Sequence, residues 1–291
     1  MLQVARLAPN LLGDSARLVE TFLQGQQNTD GGWKGRDGKS DLYYTVFGLD
    51  GLLAAKSNVP TDSTLPYLQG FENGTALDFV HLCCLARCWG TLAHAANAGC
   101  PQPIREKLIH HILAHRSRDG GFNLFPDQPF GSVYAAFLAV AALQDLGLEI
   151  PEPLRLVQSL KRLETSDGGW SNDTHSKTAG TNPTAAAVVL LTNLRMPVNA
   201  AVGDWLFQRV HKLGGFTASA ETPVPDLLST ATALHALACL ECDIAPIRER
   251  CLDFLDSLWT NEGGFCGHWN DDQLDCEYTY YGLLALGHLS I

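Results

Sequence analysis

No apolar run in this 291-residue chain approaches the roughly 20 residues needed to span a bilayer, so a transmembrane helix is not expected. The first residues lack a continuous hydrophobic core ahead of a small-residue cleavage site, so a signal peptide is not expected either. Positive charge is scarce: 20 Lys and Arg stand against 31 Asp and Glu, a formal net charge of −11, with no basic stripe. This excludes a nucleic-acid surface of the usual kind, and any anionic ligand needs a local basic site. No linker or low-complexity segment divides the chain, which is 46% hydrophobic. One domain over residues 1–291 is expected, large enough to bury a sizeable core. The nine cysteines are odd in number and lie mostly in apolar stretches such as Leu82 to Cys88 and Ala238 to Cys242. They read as buried free thiols of a reducing compartment, and hence as a cytoplasmic protein.

What the sequence does have is a repeat. A Gly-Gly-aromatic tripeptide recurs at Gly31-Gly32-Trp33, Gly120-Gly121-Phe122, Gly168-Gly169-Trp170, Gly214-Gly215-Phe216 and Gly263-Gly264-Phe265. Between second glycines the gaps are 89, 48, 46 and 49 residues; the first is about twice the others and places a degenerate unit near Asn73-Gly74-Thr75. After each turn come about ten polar or irregular residues and then an apolar run rich in Ala and Leu, as in Tyr134 to Leu143, Thr184 to Leu191, Thr230 to Leu240 and Tyr278 to Leu289. These runs are too long for common strands and predict buried helices. The stretches ahead of the turns carry spaced charges, as in Ile104 to His115 and Pro153 to Glu164, and predict an outer layer. Six units of two helices predict an all-α fold, an α/α toroid of twelve helices closed into a ring that leaves no exposed end. An open solenoid of the same pairs is the rival architecture.

The segment Gly35-Arg36-Asp37-Gly38-Lys39-Ser40-Asp41-Leu42-Tyr43-Tyr44-Thr45 and the repeat pattern together resemble the protein prenyltransferase β-subunit and terpenoid cyclase superfamily. The resemblance implies that Arg36, Lys39 and Tyr44 hold an isoprenoid diphosphate and that Asp41 sits at a metal. Tyr43 stands where the family has a zinc-bound Cys, and one spacer residue is missing. Leu77-Asp78-Phe79-Val80-His81-Leu82 resembles the family's Asp-x-x-His, which implies His81 as a second zinc ligand; separately, acids clustered at one mouth of the barrel could bind magnesium. The last unit, from Tyr278 to Leu286, resembles the repeat that precedes the zinc-bearing one, with Asp275 where the family has a diphosphate-binding His. In that frame Asp41, Tyr44 and Asp275 are the catalytic candidates, and Arg36, Lys39, Tyr43, Tyr44, Tyr134 and Tyr278 are the substrate-binding ones. The first and last units must then abut across the closed ring, giving a circularly permuted order of sites. The family's β-subunits work with a separate helical-repeat subunit, so the resemblance also implies a partner of that kind.

The chemistry of these residue types fits those roles. A guanidinium binds a diphosphate bidentately, a lysine adds a point charge and a phenol donates a hydrogen bond. Tyrosine rings at the starts of inner helices can line a lumen and stabilise a carbocation, although packing between helices uses aromatics in the same way. Arg36 and Lys39 can equally be a solvated loop paired with Asp37 and Asp41. Asp41, Asp78, Asp226 and Asp275 recur ahead of inner helices, where capping alone explains them. Asp41 and His81 make two metal ligands, one short of a catalytic zinc site, and His81 can also be a hydrogen-bonded core histidine. The cyclase branch uses Asp-x-Asp-Asp, and this chain offers only Asn270-Asp271-Asp272-Gln273. Cys239-Leu240-Glu241-Cys242 and Cys266-Gly267-His268 are isolated and weak as metal signals. The leading expectation is a prenyltransferase-like enzyme that binds an isoprenoid diphosphate or another polyprenyl lipid. The alternatives are a terpenoid-cyclase-like enzyme and a non-catalytic toroid that binds a lipid or docks a partner.

Overall fold

A computed structural model describes residues 1–96 and 98–291. Two short helices, α1 (Leu2–Ala5) and α2 (Pro9–Leu12), precede six pairs. The pairs are α3 (Ala16–Gly25) with α4 (Leu42–Ala54), α5 (Thr61–Gln69) with α6 (Phe79–Ala96), and α7 (Gln102–Ala114) with α8 (Val133–Asp145). They continue with α9 (Pro153–Lys161) and α10 (Thr181–Asn193), α11 (Ala201–Phe207) and α12 (Leu227–Cys239), and α13 (Ala245–Leu258) and α14 (Cys276–Leu289). The second helix of each pair packs on the second helix of the next, from α4 round to α14, and α14 packs back on α4. The ring is closed, as the repeat predicts, and the open solenoid is excluded. Among the described residues no helix is long and apolar enough to cross a membrane.

Sequence dictates which helix lies inside. The inner helices are apolar on nearly every side: α8 buries Val133, Ala135, Ala136, Leu138, Ala139, Val140, Ala142 and Leu143. An outer helix such as α3 buries one stripe, Val19, Phe22 and Leu23, and turns its charges to solvent.

The glycine turn joins the two layers by a repeated hydrogen-bond pattern. The first glycine has φ between +91 and +95° at Gly31, Gly120, Gly168, Gly214 and Gly263, a conformation a side chain resists. The aromatic of the tripeptide goes into the core, and at four of the five turns its backbone N–H donates to a threonine one turn into the inner helix. Trp33 donates to Thr45 (3.0 Å), Trp170 to Thr184 (2.9 Å), Phe216 to Thr230 (2.9 Å) and Phe265 to Thr279 (3.3 Å). Asp41, Asp226 and Asp275 cap α4, α12 and α14 by accepting from Tyr43, Ser229 and Tyr278 backbone N–H groups. Short antiparallel pairs, β1 (Trp33–Lys34) with β2 (Ser40–Asp41) and β3 (Phe216–Thr217) with β4 (Pro225–Asp226), brace two of the turns. Gly74 carries the degenerate second turn at φ +73° with no aromatic after it.

Candidate functional site

Contacts between the starts of neighbouring inner helices, such as Asn182 with Thr232 and Tyr43 with Glu277, set these helices running in one direction, so their N-termini crowd one mouth of the ring. The lumen behind that mouth has two chambers. The first, about 320 Å³, is lined by Tyr43, Tyr134, Phe137, Leu228, His235 and Tyr281 among others. The second, about 350 Å³, lies toward the C-terminal ends and adds Phe47, Arg87, Asp145 and Tyr280. Met1, Phe137, Val189, His235 and Tyr281 line both and form a waist. Aromatic rings pack down the α4/α14 wall: Tyr43 edge-on with Phe47 at 5.0 Å and Phe47 tilted against Tyr281 at 5.4 Å between centroids.

The α14/α4 seam, where the chain's two ends meet, holds the polar centre of the mouth. Arg36 Nη2 donates to Asp271 Oδ2 (2.7 Å), its Nε donates to Asp275 Oδ2 (2.8 Å), and the guanidinium lies 5.3 Å over the Tyr278 ring. Asp275 is 4% exposed, so its own carboxyl is pushed upward by burial even beside Arg36. Beneath this cluster the Tyr43 hydroxyl donates to Glu277 Oε1 at 2.6 Å. Burial pushes the Glu277 carboxyl up to about 7, against the pull of the Tyr43 hydrogen bond, and burial raises the Tyr43 phenol as well. A carboxyl near neutrality, bonded to a phenol that lines an apolar chamber, is a group suited to proton transfer.

The next seam, α4/α6, brings Asp41 and His81 together as the resemblance implies: His81 Nε2 is 3.3 Å from Asp41 Oδ2. Its Nδ1 is 2.9 Å from Asp78 Oδ1. The hydrogen bond to Asp41, followed by that to Asp78, raises the imidazole to about 9, so it is an imidazolium with both nitrogens engaged. A metal would have to displace that proton, and the Cys position of the family is Tyr43, whose hydroxyl is on Glu277. Among the described residues no three His, Cys, Asp or Glu side chains are grouped to hold a metal ion. This donor set does not fit zinc. The pairing carries a pH signature. Because the folded value lies above the ordinary 6.5, its stabilising effect is complete below pH 6.5 and is lost as pH rises through about 9. The melting temperature is expected to fall between pH 7 and about 9.5, and that component of the fall to vanish in His81→Gln.

Of the sequence candidates, Arg36, Asp275, Tyr44 and Tyr278 gather at the α14/α4 seam, and Tyr43 and Tyr134 line the lumen. Lys39 does not join them: its side chain is 86% exposed and its nearest acid is Asp37 at 3.9 Å, because the β1–β2 hairpin turns it outward. Arg36 grips acids of this chain, so the seam is a lock as much as a site. Arg36→Ala is expected to lower the stability to urea by about 1 to 3 kcal/mol, since it strands the buried Asp275, and Arg36→Lys, lacking the fork, recovers little of it. Sequence reasoning missed Glu277, Asp50, Arg87, His235 and His288. For Asp50, Arg87, His235 and His288 the signal was there, since each is an ionisable residue inside a largely apolar inner helix; Glu277, in the first turn of α14, carried none.

The sequence matches the prenyltransferase alpha-alpha toroid domain over residues 4–84, 75–199 and 184–290. The chain belongs to this family. Among solved structures the toroid is similar to a type II terpene cyclase, MstE from Scytonema, in complex with geranylgeranyl dihydroxybenzoate, at 14% identity over 97% of each chain with a TM-score of 0.63. A protein from Actinoplanes matches at 17% identity, 96% of this chain and 99% of that one, TM-score 0.64. The Candida albicans protein geranylgeranyltransferase-I complexed with GGPP matches at 15% identity, 99% of this chain and 81% of that one, TM-score 0.51. At these identities the likeness is one of fold. No curated protein shows significant sequence similarity to the chain.

Proposed function

We propose that the toroid takes a polyprenyl chain into its lumen and carries out cyclase-like chemistry started by a proton from Glu277 through Tyr43. The observation that carries this reading is the buried carboxyl–phenol pair at the head of an aromatic chamber. With Glu277 protonated it can donate to the phenol oxygen, which turns the phenol's own proton toward the lumen. Transfer to an alkene forms a C–H bond, breaks the π bond and leaves a tertiary cation. The rings of Tyr43, Phe137 and Tyr281 stabilise that cation, and Tyr43 and the nearby Arg36 stabilise the carboxylate left behind. Closure of the chain's other double bonds onto the cation, followed by proton loss, makes the net reaction an isomerisation.

The diphosphate reading asks more of this mouth. Arg36 is already held by Asp271 and Asp275, Lys39 stands in solvent with Asp37 as its partner, and His81 is held by Asp41 and Asp78. An anion with several charges must displace carboxylates from Arg36 to gain one bidentate contact.

Geranylgeraniol and geranylgeranyl diphosphate as parallel probes separate the readings. Cyclised isomers detected by gas chromatography–mass spectrometry, with no release of inorganic diphosphate, are expected. Diphosphate released in step with product shifts the assignment to prenyl ionisation, and tight binding without product leaves a lipid-binding toroid.

A further inference from the structure

The mouth accounts for how a proton enters the lumen, but a cationic cascade also has to lose one, and the deeper wall holds a group suited to it. We propose that His235, backed by His288, is the base that ends the reaction; this rests on the proton-initiated reading above. His235 lies on α12 in the run Ala233-Leu234-His235-Ala236-Leu237 and lines both chambers at the waist. Its Nδ1 is 2.9 Å from Nε2 of His288, in the last turn of α14, which is 3% exposed. Among the described residues His235 Nε2 has no hydrogen-bond partner in the protein, and the ring that carries it borders the cavity.

Other lone pairs on the first chamber's wall are engaged. Asn182 Oδ1 accepts from Thr232 Oγ1 at 2.8 Å, and Asn172 Oδ1 accepts from the Tyr134 backbone N–H at 2.8 Å. The phenols of Tyr43, Tyr134 and Tyr281 are weak proton acceptors, and the rest of the wall is largely aliphatic, with Ala185, Ala186, Val189 and Leu228. The other bases on this wall are the Met1 amino group at the waist and the Asp145 carboxyl in the second chamber; His235 is the one whose ring is fixed by a hydrogen bond to a buried side chain and borders both chambers. Burial holds both histidines well below the ordinary value, His235 at about 3 and His288 at about 4, so both rings are neutral at pH 7. With Nδ1–H donated to His288 Nε2, His235 Nε2 presents a lone pair to the lumen.

The step balances without a co-reactant. His235 Nε2 takes the hydrogen from a carbon next to the cationic centre, the C–H pair becomes the new C=C bond, and the imidazolium shares its Nδ1–H with His288 until the proton returns to solvent. Its position at the waist, away from the Tyr43–Glu277 pair, selects which carbon is deprotonated. His235 is thus a catalytic residue, and His288 a positioning one.

The test uses the full chain with geranylgeraniol as the probe and compares product ratios. The wild type is expected to give one dominant elimination alkene. In His235→Gln and His235→Phe, checked for native circular dichroism, the share of that alkene is expected to fall about tenfold in favour of water-captured alcohols or shifted alkenes, with the probe still consumed. His288→Gln, which keeps a hydrogen-bonding partner, is expected to shift the ratio the same way by less. Unchanged ratios in the folded His235 variants overturn the proposal and leave the proton-initiated reading standing, as does a loss of consumption with the ratio intact. A wild type that yields no cyclised isomer overturns both.

Discussion

Glu277→Gln is expected to reduce formation of cyclised product by about 100- to 10,000-fold, the usual weight of a positioned general acid, while the probe still binds. Glutamine keeps the volume of the side chain and can still accept the Tyr43 hydrogen bond, but it carries no transferable proton. A role in packing alone predicts something else: with volume and hydrogen bond both kept, turnover stays close to that of the wild type. Tyr43→Phe removes the relay and leaves Glu277 buried without its partner, so it is expected to be nearly as damaging to turnover. The pH dependence fixes the role. Glu277 titrates at about 7 and acts in its protonated form, so kcat/KM is expected to be flat below pH 6 and to fall as pH rises through about 7. A rise with pH across the same range makes Glu277 a base and reverses the assignment. Because its folded value lies above the ordinary 4.5, the folded state also loses stability as pH climbs from about 4.5 to 7. Circular dichroism melts at each pH separate that loss from the change in rate.

The fold was legible because it is written many times over. Five glycine turns and the apolar runs behind them each predict an outer helix, a tight reversal and an inner helix, and six such units, each burying its inner helix against two neighbours, predict the ring. The partners of the site residues were not legible, because they are fixed by which units abut and by register. Arg36 meets Asp271 across 235 residues, and Tyr43 meets Glu277 across 234. A motif names Arg36 as a cation, yet nothing near it in sequence says that two carboxylates already occupy it. Glu277, read locally, is an acid in the first turn of a helix, where it complements the helix dipole and draws no notice. Its upward shift exists only once α4 packs against α14 and buries it, a rise that the Tyr43 hydrogen bond partly offsets. The threonines that receive the aromatic N–H groups, Thr45, Thr184, Thr230 and Thr279, recur at four of the five turns and mark the start of four inner helices. They were hidden because each lies 12 to 14 residues past its aromatic, across the variable loop.

Two alanine substitutions at equivalent turns test whether the ring is closed in solution. Gly168 and Gly263 have nearly the same φ, +91 and +92°, so an added methyl meets the same conformational resistance, about 1 to 2 kcal/mol, at both. They differ in what lies beyond. A Cβ on Gly168 finds nothing nearer than Trp205 Cδ1 at 4.0 Å, whereas a Cβ on Gly263 runs into the Leu18 carbonyl and the Val19 backbone nitrogen of α3. Those are main-chain atoms of an outer helix, and they yield only if α3 moves away from the sixth turn. Gly263→Ala is therefore expected to destabilise the protein by about 3 to 5 kcal/mol and Gly168→Ala by about 1 to 2, measured by urea denaturation. The excess at Gly263 is the contact between the last turn and the first outer helix. In an open arc that contact is absent and the two substitutions have equal effects. Arg36, Asp275, Tyr43 and Glu277 all sit on the same closure, so equal effects would remove the geometry on which proton delivery depends.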